Sequence, residues 1–434
     1  MNKILYLFII LIITSSCSLN KNSKFWTSSE TIRSENEIEY EEVFPFEEAL
    51  KKEFNSSLNV KLTSKPINNT SINNYLNNTN RLNFNGNLEK SSRYKFSKID
   101  NFNQYQPEIS FFEDKIIFFD NRGSILQFNN DSKLIWKKNY YSKSEKKLKP
   151  ILQFVNNGKY LIVADNIAKY YMVDIRNGNL VWTKNNLAPF NSQIKIYEDK
   201  FFIIDFSNTL RCFSVKNGNE LWNVKTESSL IRSQKKLSMV IVDEVIYFNN
   251  SIGDISAVNI NNGGLLWQLP TQDSLIYESA FSLEISDIIS DKETLFFSTN
   301  KNQFFSVDIK TGSFNWKNKV NSNLRSTLIS NYLFSISLEG YLIITEKNSG
   351  NIIRVTDIFQ NFKVKKRKNI KPTGFVVGLN NIYLSTDNGR LLVIDIASGK
   401  TISTLKIDNE KISKPFVQNK NLFLIKDNAI IKLN

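Results

Sequence analysis

Val307–Trp316 reads VDIKTGSFNW. Closely similar phrases occur at Val173–Trp182 (VDIRNGNLVW), Phe213–Trp222 (FSVKNGNELW) and Val258–Trp267 (VNINNGGLLW). Each has an apolar run, a polar turn with glycine, and a tryptophan four residues after that glycine. The turn glycines are Gly178, Gly218, Gly263, Gly312, Gly350 and Gly399. An earlier copy, FNNDSKLIW, has Ser132 in the glycine place and Trp136 four later. The last two copies carry Arg354 and Ser403 where the others carry tryptophan. The seven positions four after each turn stand 38 to 49 residues apart. Repetition at this period signals propeller blades or a solenoid, in which no unit buries its apolar faces alone.

The units carry strand signals. In the copy around Trp316, TLFFST, FFSVDI and FNWKNKV are short, rich in aromatic and β-branched residues, and separated by Asn, Lys and Gly turns. With a more variable strand in front, each unit holds four strands, as a propeller blade does. The glycine supplies positive φ in the turn between the third and fourth strands. Asp174, Asp308 and Asp395, four before their glycines, are placed to accept hydrogen bonds from nearby backbone donors. Trp136, Trp182, Trp222, Trp267 and Trp316 read as docking surfaces for the neighbouring blade, since one such ring buries about 150–250 Å².

Seven turns give seven blades. After the last comes KPFVQNKNLFLIKDNAIIKLN, a blade without its fourth strand. Before the first lies SSRYKFSKI, a strand without a blade. Pairing the two removes open sheet edges. The expected fold is therefore all-β: an eight-bladed β-propeller over residues 91–434, closed by an N-terminal strand joining the C-terminal blade.

Composition narrows the function. The 434 residues include no histidine and only two cysteines, Cys17 and Cys212. That removes the usual general base near neutral pH, the commonest metal ligand and any disulfide framework. No cofactor and no catalytic or metal-binding residue is expected. The formal net charge is +14, but Lys, Asn and Ile are enriched throughout rather than in one patch, and nothing resembles a nucleic-acid module. Cys212 sits in an alternating strand, LRCFSV, and is expected to be buried and inert.

Residues 1–16 resemble a secretory signal. One lysine precedes the apolar run Ile4–Ile13, which is too short to span a bilayer as a helix, and small residues lead to Cys17. The ending resembles a lipobox, with Thr14 in the usual leucine place. It implies cleavage before Cys17 and acylation there, and Ser18 rather than Asp after that cysteine implies export to the outer membrane, facing the periplasm. Residues 17–90 are acidic and then Asn/Ser/Thr-rich without periodicity, and are expected to form a flexible tether. The basic run Lys363–Lys371 reads as a solvated loop between blades, and as a candidate contact for anionic headgroups.

The repeat resembles the quinoprotein-type, or PQQ-like, blade, as FFSVDIKTGSFNW and LLVIDIASGKTI display. With the lipobox and tether, the chain is similar to the BamB family of lipoproteins in the β-barrel assembly machinery. That resemblance implies a non-enzymatic scaffold that binds the periplasmic POTRA domains of the BamA subunit through propeller loops, with unfolded barrel proteins as further partners. It points to Leu230 and Arg232 in ESSLIRSQKK, and to Glu284 and Asp287 in FSLEISDIIS, as partner-binding residues. Two other readings stay open: an envelope-binding propeller for peptidoglycan, polysaccharide or protein, and a PQQ-dependent dehydrogenase. The second lacks the vicinal Cys-Cys pair and the long inserts of the quinoprotein alcohol dehydrogenases.

Overall fold

The computed structural model describes residues 52–70, 74–77, 80–105, 107–227, 233, 235–271 and 283–434. Eight four-stranded antiparallel sheets form an eight-bladed propeller. Blades one to seven run from Ser110 to Lys138, Leu152 to Asn185, Lys195 to Lys225, Met239 to Leu269, Ile289 to Asn318, Thr327 to Asp357 and Pro372 to Lys406. Blade eight takes three strands from Phe416–Leu433, and its outer strand is β1, Lys90–Lys95. β1 lies antiparallel to the last strand, with Lys95 opposite Ala429 and Arg93 opposite Ile431. Both chain ends thus share one sheet, and the ring closes as the two unmatched fragments predict.

Position in the blade explains the strand patterns. Inner strands are covered on both faces by neighbouring blades, so they read as apolar runs: Tyr160–Asp165 is buried at every position but the first. Fourth strands meet solvent, and Leu180–Asn185 alternates between exposed and half-buried positions from Val181 onward. A register shift precedes each turn into the fourth strand in blades one to seven, such as that between Met172 and Val173. The turn is longer than a two-residue hairpin: Gly178 N–H donates to the Asp174 carbonyl at 2.9 Å, and Asp174 N–H to the Asn179 carbonyl at 2.9 Å. Its glycine has φ +70°, and Ser132 takes the same region at +62° in blade one. Asp174 Oδ1 caps the turn by accepting from Arg176 N–H at 2.8 Å, as Asp308 Oδ1 does from Thr311 N–H.

Each tryptophan leans on the next blade's turn. The Trp182 ring covers Gly218 so closely that a Cβ there would lie 2.8 Å from it. Its indole N–H donates to the Val215 carbonyl at 3.0 Å. Trp222, Trp267 and Trp316 repeat the bond to Ile260, Ile309 and Lys347. In blade one the Ile175 carbonyl accepts from Gln127 instead, and the Trp136 indole N–H has no partner among the described residues.

The expected tether to residue 90 needs correction for the part that is described. Phe54 exchanges two backbone hydrogen bonds with Val355 on the outer edge of blade six. Val60 N–H donates to Ala397 in blade seven. Thr70 and Leu82 then bond to Val417 and Val377, near the ends of the first strands of blades eight and seven. Val60, Leu76, Leu82 and Phe84 are buried. Apart from the 3-10 turn Asn74–Leu76, the described lead-in forms no regular element: its buried residues follow the contours of the propeller, so no period shows.

Candidate functional site: a charged central funnel

First strands line the ring axis, and residues leading into them from all eight blades enclose a cavity of about 870 Å³. Part of the lead-in reaches in between the first strands of blades three, four and five. Tyr75 packs edge-on against Tyr197, at the end of blade three's first strand. Asn77, 2% exposed, reaches the start of the first strands. Its amide nitrogen lies 2.9–3.1 Å from acceptors on Gln193, Ser238, Met239 and Ile288. Its Oδ1 accepts from Lys195 Nζ at 2.5 Å. Asn77 and Lys195 therefore narrow the axis below the funnel on the side of blades three to five.

Charge is concentrated above that narrowing. Glu108, Asp287, Arg325 and Lys414 each stand two residues before their blade's first strand. Glu108 pairs with Lys414 at 2.6 Å and with Lys236 at 3.7 Å. Burial alone would raise the Glu108 carboxyl; the two lysines overcome it and hold it well below the usual carboxylate range. Asp287 faces Arg325 at 4.0 Å, and its carboxyl is likewise lowered despite burial, chiefly by Lys414 and Arg325. Burial pushes Lys195 down to about 7 and Lys235 down to about 8, each opposed in part by nearby carboxylates. Glu284 lies on the same wall, hydrogen-bonded to the Asn323 amide, while its backbone N–H donates to Asn300 Oδ1 at 2.9 Å.

The predicted residues divide accordingly. Glu284 and Asp287 both line the funnel. Leu230, Arg232 and Cys17 lie outside the described residues. Cys212 is buried, and burial pushes its thiol up to about 12. The funnel cations escaped the sequence reading, although one signal for them was present: a charged residue two positions before a short apolar run, as in LRSTLI and SKPFVQ. Among the described residues no three His, Cys, Asp or Glu side chains gather as metal ligands. The two carboxylates nearest that narrowing already face cations, so they do not present a calcium-type donor set.

A closed ring of such blades around a charged funnel defines the class: an eight-bladed propeller of PQQ-like repeats. Within it, residues 121–356 match the model of the family described as outer membrane protein assembly factor BamB, and the chain belongs to that family. Among solved structures, BamB from Moraxella catarrhalis superposes with a TM-score of 0.65 at 15% identity, covering 80% of this chain and 99% of that one. A quinohemoprotein alcohol dehydrogenase from Pseudomonas putida gives 0.58 at 9%, covering 80% and 76%. A europium-containing methanol dehydrogenase gives 0.61 at 9%, covering 82% and 89%. At these identities the likeness is one of fold. No curated protein matches the sequence.

Proposed function

We propose that this chain is a non-enzymatic scaffold lipoprotein of the outer-membrane β-barrel assembly complex. It would be held to the outer membrane through Cys17, with the propeller in the periplasm. There it docks periplasmic POTRA domains of a BamA-like subunit and aids insertion of barrel proteins. The observation that carries this reading is the BamB family match over residues 121–356. The funnel supplies groups of suitable chemistry: Glu284 on its wall, Asp287 further in and several lysines all stand on the connections between blades. Polar and charged groups on a rigid ring give a partner register and orientation. Leu230 and Arg232 belong to the connection between blades three and four and complete the proposed contact set. The dehydrogenase reading is disfavoured by the cation-paired carboxylates of the inner funnel, where such an enzyme needs ligands and a base.

The test is co-purification from cells carrying a tagged chain. Replacing Leu230, Arg232, Glu284 and Asp287 together should abolish recovery of the assembly subunit, while the propeller stays folded. Undiminished recovery would overturn the contact assignment. Depletion of the chain should lower barrel-protein levels in a strain with a weakened assembly machine. Normal levels there would favour an envelope-binding propeller, and reconstitution with PQQ that yields a bound chromophore would revive the enzyme.

A further inference from the structure

We propose that the inner part of the funnel binds a small polyanion, a solute carrying two or more carboxylate or phosphate charges, between Lys236, Arg325 and Lys414. This does not rest on the scaffold reading; it concerns a ligand for the pocket itself.

Three observations converge. First, the cavity is enclosed by residues from all eight blades, with Asn77 inserted between the first strands of blades three, four and five, and its volume suits a small solute. Second, its charge does not balance. Among the described residues, seven lysine and arginine side chains and five carboxylates line it, a surplus of two positive charges, with Lys195 beneath. Gathering like charges in a partly desolvated pocket is unfavourable unless an opposite charge joins them. Third, Arg325 has donor capacity to spare. Its side chain is 17% exposed, it faces Asp287 only at 4.0 Å, and it makes no hydrogen bond among the described residues. A guanidinium carries five donors in a fork suited to carboxylate or phosphate oxygens.

The carboxylates already present set the recognition chemistry. Glu108 is shared by Lys414 and Lys236, which leaves both ammonium groups with further donors. A ligand with one charge gains little against Glu108 and Asp287. A ligand with two or three closely spaced charges spans the cations and outweighs the acids. The volume of the pocket, about 870 Å³, favours a compact solute.

The experiment is calorimetric titration of the full chain at low ionic strength, with citrate and with inorganic phosphate as separate titrants. Saturable one-to-one binding of either supports the site, and which of them binds separates a polycarboxylate ligand from a phosphate-bearing one. Arg325→Gln should weaken that binding about tenfold or more, because a charge-assisted fork is lost. Asp287→Asn should tighten it several-fold, because a repelling carboxylate is removed and Arg325 is released. Opposite effects from two neighbouring substitutions cannot come from general loss of fold, and unchanged melting temperatures check this directly. The proposal is overturned if neither titrant binds saturably, or if Arg325→Gln leaves the affinity unchanged.

Discussion

Arg354 Nη2 donates to the carbonyl oxygen of Ile396 at 3.0 Å, three residues before the turn glycine of blade seven. This is the place an indole N–H reaches in the preceding blades, at Val215 from Trp182 and at Lys347 from Trp316. The guanidinium also covers Gly399, where a Cβ would lie 2.9 Å from Nη2. The arginine therefore replaces both functions of the missing tryptophan, the flat contact and the donor. Its Nη1 donates to the carbonyls of Ala397 and Leu58, the latter at 2.9 Å, tying the lead-in to the seam.

Arg354→Met should therefore destabilise the propeller by about 3 kcal/mol, because buried carbonyls lose their donor. Arg354→Trp should recover part of the loss, since it restores the contact of the other blades but not the bond to Leu58. Denaturant unfolding of the three proteins checks the order.

The turn predicts a pair of opposite changes. Gly218 has φ +69° and lies under the Trp182 ring, so Gly218→Ala should cost at least about 1–2 kcal/mol in strain and displaced packing. Ser132 occupies the equivalent place at +62°, so Ser132→Gly should be neutral or stabilising by up to about 1 kcal/mol. The melting temperature should fall for Gly218→Ala and hold or rise for Ser132→Gly.

Lys195 gives a pH signature. Its folded-state value is lowered to about 7 from 10.5, mainly by burial among Asn77, Glu108, Arg325, Asp287 and Lys236. Between those two values the unfolded chain holds a proton that the folded chain lacks, so this group makes stability rise with pH. Lys195→Met removes the contribution. The stability of the wild-type chain relative to this variant should improve between pH 7 and pH 10, by an amount on the order of a few kcal/mol, and stay level below pH 7.

Cys212 should resist thiol reagents in the folded protein. It is fully buried and its thiol is pushed up to about 12, so almost no thiolate forms near neutral pH. A colorimetric thiol titration should show reaction at Cys212 only after denaturation.

The blades were legible because their constraint is local. A turn with positive φ, a bulge and a docking side chain all lie within ten residues, and selecting one blade selects them all. Closure was legible too, since β1 and the last three strands are each incomplete. The lead-in was not. Val60, Leu76, Leu82 and Phe84 stand apart among asparagines, with no period to reveal a face, and their partners are hundreds of residues away. Asn77 shows the difficulty: in NNYLNNTN nothing separates it from its neighbours, yet its amide meets three different blades. The funnel was half legible. Glu284 and Asp287 were singled out, but Glu108, Lys236, Arg325 and Lys414 come from four separate connections that only ring closure brings together.

The central claim is that the funnel face docks the barrel-assembly subunit. It is tested most directly by site-specific photocrosslinking in intact cells, with the probe at Glu284 on the funnel wall and, in a second strain, at Leu180 on the exposed outer strand of blade two. The account predicts an adduct with the BamA-like subunit from position 284 and none from position 180. An adduct from 180 alone, or capture from 284 of only peptidoglycan, polysaccharide or an unrelated envelope protein, would contradict it.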